Sequence, residues 1–147
     1  MRLTDYTDYA LRVLMYVGAH PGRLVTIQEI ADNHGISKNH LTKVVHRLGV
    51  AGLVTTMRGR TGGIRLALAP SSITLGAVVR MTEPDFTMVE CFDETRNTCT
   101  LSPTCVLKHA LGRATSAYLQ ELDRMTLADV LPLAPGALLG IAAVNST

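Results

Sequence analysis

Residues 26–48 hold two short helical signals on either side of a single glycine, and few folds accommodate that arrangement. Thr26-Ile27-Gln28-Glu29 fits a capping box, in which a threonine hydroxyl and a glutamate three residues on satisfy each other's backbone donors. The helix it opens is expected to end near Asn33, with Gly35 supplying a tight turn. Ser37 is placed to cap the next helix, whose apolar residues Leu41, Val44, Val45 and Leu48 follow the i, i+3, i+4, i+7 spacing. The opposite face shows Asn39, Thr42, Lys43 and His46, with Ser37, Lys38 and His40 at its N-terminal end. Two helices joined by a glycine-containing turn, the second polar and basic outward, describe a helix-turn-helix. An ordinary amphipathic helix with a solvated face gives the same local pattern. The segment immediately C-terminal to it decides between them.

That segment is VTTMRGRTGGIRLAL (54–68), in which β-prone residues flank Arg58-Gly59-Arg60-Thr61-Gly62-Gly63. It predicts a hairpin with a glycine-rich, arginine-bearing tip. Such a tip can approach a minor groove, where arginine meets a concentrated negative potential. A nucleotide phosphate loop is excluded, because GxxxxGK[ST] is absent and no helix directly follows the glycines. The formal net charge of +2 averages over an uneven chain. Residues 33–82 contain Lys38, Lys43, Arg47, Arg58, Arg60, Arg65 and Arg80 and no carboxylate, a distribution suited to a polyanion. Asn and Lys reach base edges, while Ser and Thr bond bases or phosphates. The expected contacts to double-stranded DNA are therefore Ser37, Lys38, Asn39, His40, Thr42, Lys43, Arg58 and Arg60. Non-specific RNA or membrane contact are the competing readings of this block.

Upstream, residues 7–19 read as a helix with Thr4 or Thr7 as its N-cap, stopped by His20-Pro21-Gly22. Downstream, Thr74–Met81 reads as a short helix capped by Thr74. Beyond Thr82 the character changes, and Cys91, Cys99 and Cys105 fall in one loop as C-x7-C-x5-C. An odd cysteine number argues against a disulfide framework. Spacings this wide are poor for a structural zinc knuckle, whose pairs sit two to four residues apart. They suit an iron–sulfur cluster straddled by a loop that supplies one thiolate per iron. Three thiols without a chemical role, or a zinc or redox thiol switch, remain open. A cubane cluster would lack one ligand, which an aspartate, a histidine or a small exogenous molecule could fill. Cys105 sits where the next helix begins, at the positive end of its dipole.

From Cys105 to Met125 the residues Leu107, Leu111, Ala114, Tyr118, Leu122 and Met125 recur at helical spacing. Ala110, Gly112 and Ala117 would let a partner helix approach closely. A dimer helix is expected, with a helix packed on its own domain as the alternative. Two-fold symmetry would match a palindromic operator. The expected fold is mainly α with a small β-hairpin wing. It divides into a winged helix-turn-helix (1–82), a cysteine-bearing loop (83–105), a dimerisation helix with a following short helix (106–131) and a C-terminal tail (132–147). A chain of 147 residues, 47% hydrophobic and 18% charged, is globular and not disordered. Met1–Tyr9 is polar with two acids, unlike a signal or transit peptide. The apolar run Leu131–Val144 is broken by Pro132, Pro135, Gly136 and Gly140 and is too short to span a membrane. A cytoplasmic protein is expected. No nucleophile–base set or paired catalytic carboxylates appear, so an enzyme is not expected.

The opening MRLTDYTDYALR, the segment HLTKVVHRLGVAGLV, the wing RGRTGGIRL, the stretch VVRMTEPDF and the three-cysteine loop together resemble the Rrf-two family of bacterial regulators. The resemblance runs from residue 1 to about 131, and within the family it is greatest to nitric-oxide-responsive repressors. It implies a homodimeric winged-helix repressor with an iron–sulfur cluster on the three cysteines, [4Fe–4S] ahead of [2Fe–2S], that leaves operator DNA on reaction with nitric oxide. In such repressors an aspartate in the first helix of the other subunit completes the coordination, and Asp8 in TDYALR matches that place. An acid in a helix's first turn is also favoured there by the helix dipole alone. The long first cysteine spacing is similar to iron-responsive members, which keeps iron or redox state open as the signal. Cluster-biogenesis members use a histidine just after the third cysteine, so His109 competes with Asp8 as fourth ligand.

Overall fold

The computed structural model describes residues 2–132. The chain runs through helix α1 (Asp5–Gly18), α2 (Ile27–His34) and α3 (Lys38–Val50), then strands β1 (Val54–Met57) and β2 (Gly63–Leu66). Helices α4 (Leu75–Thr82), α5 (Val106–Arg124) and α6 (Leu127–Val130) come next, with single 3-10 turns at Pro70–Ser72, Glu90–Phe92 and Ser102–Thr104.

Helix α1 begins two residues earlier than its apolar pattern suggested, because Thr4 and not Thr7 is the cap. The Thr4 hydroxyl accepts the Thr7 N–H at 3.3 Å. Thr7 is buried instead, and its hydroxyl donates to Thr82 Oγ1 at 2.9 Å, tying α1 to the end of α4. Ala10, Val13, Leu14 and Val17 form the buried stripe of α1, which faces α3, α4 and the hairpin.

The capping box expected at Thr26–Glu29 is only half formed. Thr26 accepts the Glu29 N–H at 3.1 Å, but the Glu29 carboxylate turns away to Tyr16 and Arg23. A carboxylate offered a guanidinium makes the stronger charge-assisted bond, so it does not return to its own cap. The complete box forms at Thr126–Asp129, opening α6. Gly35 ends α2 at φ 63°, the left-handed conformation that favours glycine. Ser37 stands at the N-cap of α3 but makes no side-chain cap bond, so its exposed hydroxyl stays available. Leu41, Val44, Val45 and Leu48 are all buried, as their spacing required.

The hairpin is antiparallel with Val54 opposite Leu66 and Thr56 opposite Ile64. Val25, at the entry to α2, exchanges two backbone bonds with Ile64 at 2.9 and 2.8 Å, which stitches the wing to the helix-turn-helix. At the wing's tip a Cβ on Gly62 would run into the Met57 carbonyl, so the turn needs glycine there.

Leu14, Ile30, Leu41, Leu48, Ile64 and Leu127 are the large, fully buried side chains around which these elements close. Leu127 comes from the short helix that the sequence grouped with the dimer helix. It enters the same core as α1 and α3, with its N–H donating to Ile73 O at 2.7 Å. The far end of α5 is therefore fastened to the winged unit. Leu75 N donates to Met125 O at 2.9 Å, and Arg80 of α4 pairs with Asp123 of α5 through both guanidinium nitrogens. Over its own length, however, α5 buries no residue. The expected tail, 132–147, lies outside the described residues apart from Pro132. Among the described residues no helix is long and apolar enough to cross a membrane.

Candidate nucleic-acid interface and cysteine loop

Burying Leu41, Val44, Val45 and Leu48 turns the other side of α3 outward. Ser37, Lys38, Asn39, His40, Thr42 and Lys43 are all exposed there, and Arg58 and Arg60 are exposed on the wing tip. The face is not uniformly free to read a ligand. Thr42 donates its hydroxyl proton to Lys38 O at 2.8 Å, leaving its oxygen as an acceptor. The His40 ring stacks on Tyr9 of α1, with centroids 6.3 Å apart and planes at 24°. Two arginines of the acid-free block serve the fold instead. Arg47 donates to Met81 O at 3.2 Å and lies over the Tyr6 ring, while Arg80 pairs with Asp123. Arg65, opposite Thr55 on the outer strand face, is exposed and adds a basic residue to the wing beyond the two expected there. The alternation of Ile64 and Leu66 around it was the signal that could have found it, since successive strand residues face opposite sides.

The cysteine loop hangs from a polar anchor. Thr4 donates both its N–H (2.8 Å) and its hydroxyl (2.9 Å) to Glu83 Oε1, so the residue that opens the loop holds the start of α1. Burial pushes the Glu83 carboxyl up, but the threonine donors outweigh it and hold it below the usual carboxylate range. Further on, Glu90 Oε1 accepts from Thr98 N and Thr98 Oγ1 at 2.5 and 2.6 Å. Asp93 accepts from Thr95 N and Oγ1, and Asn97 Oδ1 accepts from Cys99 N at 3.0 Å. An acid in a polar loop is ordinarily just solvated, but Asp93 folds a turn, and the Thr95 donors draw its carboxyl below the ordinary range.

Cys91 and Cys105 are half-buried, Cys99 is exposed, and all three are free thiols. Cys105 is the N-cap of α5, its Sγ accepting the Lys108 N–H at 3.4 Å. The donor chemistry fits an iron–sulfur cluster: three soft sulfur ligands on one loop, one already accepting a backbone N–H. Their layout in the single chain is less complete. Among the described residues no three His, Cys, Asp or Glu side chains lie close enough together to hold a metal ion. Ordering and metal binding are coupled in such sites, because the bound group completes the gathering of the thiols. Asp8, on the first turns of α1, accepts from Arg12 Nε at 3.1 Å and is half-exposed. His109 is exposed and lines the same cleft as Cys99, beside Ser102 and Lys108.

Comparison with known proteins places this arrangement. Residues 3–132 match the family described as "Rrf2: Iron-dependent Transcriptional regulator". The chain is 55% identical over 132 residues to the "HTH-type transcriptional regulator NsrR" of Bacillus subtilis (strain 168), covering 89% of this chain and 90% of that one. It is 50% identical over 132 residues to the protein of the same name from Halalkalibacterium halodurans, covering 89% and 90%. Among solved structures it is similar to CymR, the global cysteine regulator of B. subtilis, with TM-score 0.72, 27% identity, and 88% and 95% of the two chains covered. It is also similar to T. potens IscR, with TM-score 0.70, 25% identity, and coverage of 88% and 85%. The hairpin is thus the wing of a winged helix-turn-helix. The chain belongs to the Rrf2 family of non-enzymatic, DNA-binding transcriptional regulators.

Proposed function

We propose that this regulator is a cytoplasmic homodimeric repressor that holds an iron–sulfur cluster, [4Fe–4S] in preference to [2Fe–2S], and leaves a palindromic operator in response to nitric oxide. The observation that carries the reading is the attachment of a three-thiol loop, through Glu83 and Thr4, to the helix that supports the DNA-reading helix. The likeness to regulators named NsrR and the family's description as iron-dependent support it. Cys91, Cys99 and Cys105 would supply three ligands, with Asp8 of a second copy as the fourth and His109 as its competitor. When bound, the cluster supplies iron at which nitric oxide can coordinate.

The chain's own residues account for the rest. Asp8 now pairs with Arg12, so recruiting its carboxylate elsewhere would release that guanidinium. Tyr9, its neighbour, stacks on His40 at the start of α3. A change at the first turns of α1 therefore meets the DNA-reading helix directly. Ser37, Lys38, Asn39, Thr42 and Lys43 would read one major-groove half-site, with Arg58 and Arg60 on the flanking backbone or minor groove.

Protein purified without oxygen should be coloured, contain iron and sulfide, and shift an operator fragment until nitric oxide is added. A colourless, iron-free protein that binds equally with and without nitric oxide overturns the proposal. A second reading, a zinc or thiol switch on the same scaffold, is favoured by the exposure of Cys99. Metal analysis of that preparation separates the two. An iron- or redox-responsive regulator is the third outcome, with release following chelator or oxidant in place of nitric oxide.

A further inference from the structure

We infer that Glu90 is a positioning residue, a clamp that sets Cys91 and Cys99 side by side before anything binds them. The inference rests on the reading of these cysteines as one ligand set, and it concerns how the chain prepares that set.

A single carboxylate oxygen of Glu90 accepts two donors from one residue, Thr98 N at 2.5 Å and Thr98 Oγ1 at 2.6 Å. The partners stand eight positions apart in the chain, so the pair closes the whole segment between them. Each clamped residue immediately precedes a cysteine, in Glu90-Cys91 and Thr98-Cys99. Closing 90 on 98 therefore holds the stretches of backbone that carry Cys91 and Cys99 near each other.

Those residues are built to be closed. Val89 O accepts Phe92 N at 3.0 Å, and Glu90 O accepts Asp93 N at 3.1 Å, making one turn. Asp93 makes the next with Thr95, and Asn97 orients the Cys99 amide. Within 90–99 no residue is buried, so hydrophobic packing does not fix the loop's shape. Its conformation depends on these hydrogen bonds, and only the Glu90–Thr98 pair joins its two ends among the described residues. A charged acceptor with two converging donors is stronger than a neutral one. Its effect is to pre-close the loop, which raises the effective concentration of one thiol at the other.

The test uses the full-length, metal-free protein. Diamide oxidises paired thiols, and mass spectrometry follows formation of the Cys91–Cys99 disulfide in wild type, Glu90→Ala, Glu90→Gln and Thr98→Val. The disulfide should form about three-fold or more slowly in Glu90→Ala, because the second thiol's effective concentration drops. Glu90→Gln keeps a neutral acceptor for both donors and should be slowed less than Glu90→Ala. Thr98→Val keeps the N–H and should also fall between wild type and Glu90→Ala. It also carries the test if Glu90→Ala does not fold, which a thermal unfolding scan reveals. Equal rates in wild type and in folded Glu90→Ala or Thr98→Val overturn the clamp. Anaerobic reconstitution with iron and sulfide, run in parallel, keeps this separate from the cluster reading. If wild type takes up no cluster yet the rates differ, the clamp stands and the cluster falls. If wild type takes up cluster and the rates are equal, the clamp falls alone.

Discussion

Glu29 shows how one side chain can be read correctly for its backbone and wrongly for its partner. Its N–H meets Thr26 as the spacing predicts, but its carboxylate goes to Arg23, with the shorter contact at 2.5 Å, and to the Tyr16 hydroxyl at 2.9 Å. Nothing in a local window places Arg23 or Tyr16 there, because Tyr16 arrives from α1 and Arg23 from the preceding turn. The Arg23 hydrogen bond, then that of Tyr16, pulls the Glu29 carboxyl from 4.5 down to about 2. A depressed folded-state value means the ionised form supports the fold. That support is complete above the unfolded value near 4.5 and fades as the pH falls toward 2. The pair is partly exposed, with 31% of the Glu29 side chain and 47% of that of Arg23 accessible, so solvent screens it. We expect Glu29→Gln to lower stability at neutral pH by less than about 1 kcal/mol and to flatten the acid side of the profile. Urea midpoints at pH 6, 4 and 3 check this. A variant that loses stability as steeply as wild type between pH 4 and 3 would assign the acid sensitivity to other carboxylates.

At the scale of elements, the helix-turn-helix and wing were legible because their signals are short-range. Apolar spacing on α3, the left-handed Gly35 and the glycine-rich hairpin tip each act within a few residues. That Arg47 and Arg80 of the acid-free block are held within the fold was not legible, because tertiary partners decide it. Arg47 is held by the Met81 carbonyl and the Tyr6 ring, and Arg80 by Asp123, whereas Arg58, Arg60 and Arg65 are exposed without an ion pair among the described residues. Composition alone would have treated them alike. Replacing a phosphate-contacting arginine removes about one released counterion, so Arg58→Ala or Arg60→Ala should reduce the slope of log K against log salt by about one. Asn39→Ala should leave the slope unchanged and instead cost about 1–3 kcal/mol of discrimination at one base position. Arg47→Ala should lower stability with little change in slope. Fluorescence anisotropy on an operator duplex and a scrambled duplex, over a range of salt, resolves the three behaviours. A slope reduced as much by Arg47→Ala as by Arg60→Ala would put Arg47 on the DNA after all.

Across the whole molecule, the unsolved surface belongs to α5. The sequence pattern predicted a helix over Cys105–Met125, and one forms over Val106–Arg124, but periodicity cannot say against what a helix rests. One end is fastened, through Asp123, Met125 and Leu127, to α4 and the core. The other end projects with Val106 78% and Leu107 64% exposed, beside Leu101 at 69%. Three large apolar side chains left in water at one end of a nineteen-residue helix argue for a partner, and they adjoin Cys105 at its N-cap. A second copy, as proposed above, would meet the requirement with a single self-complementary contact and would present two copies of α3 to the two halves of a palindrome. Leu107→Glu puts a charge into that contact without touching the core of the winged unit. It should convert a dimer to a monomer by light scattering while leaving the helical circular dichroism unchanged. A monomer reaches only one half-site, so operator affinity should fall by about 10²–10⁴, the gain that linking two binding units confers. Binding to a half-site fragment should be unaffected. A Leu107→Glu protein that stays dimeric and keeps full operator affinity would move the interface away from this end of α5.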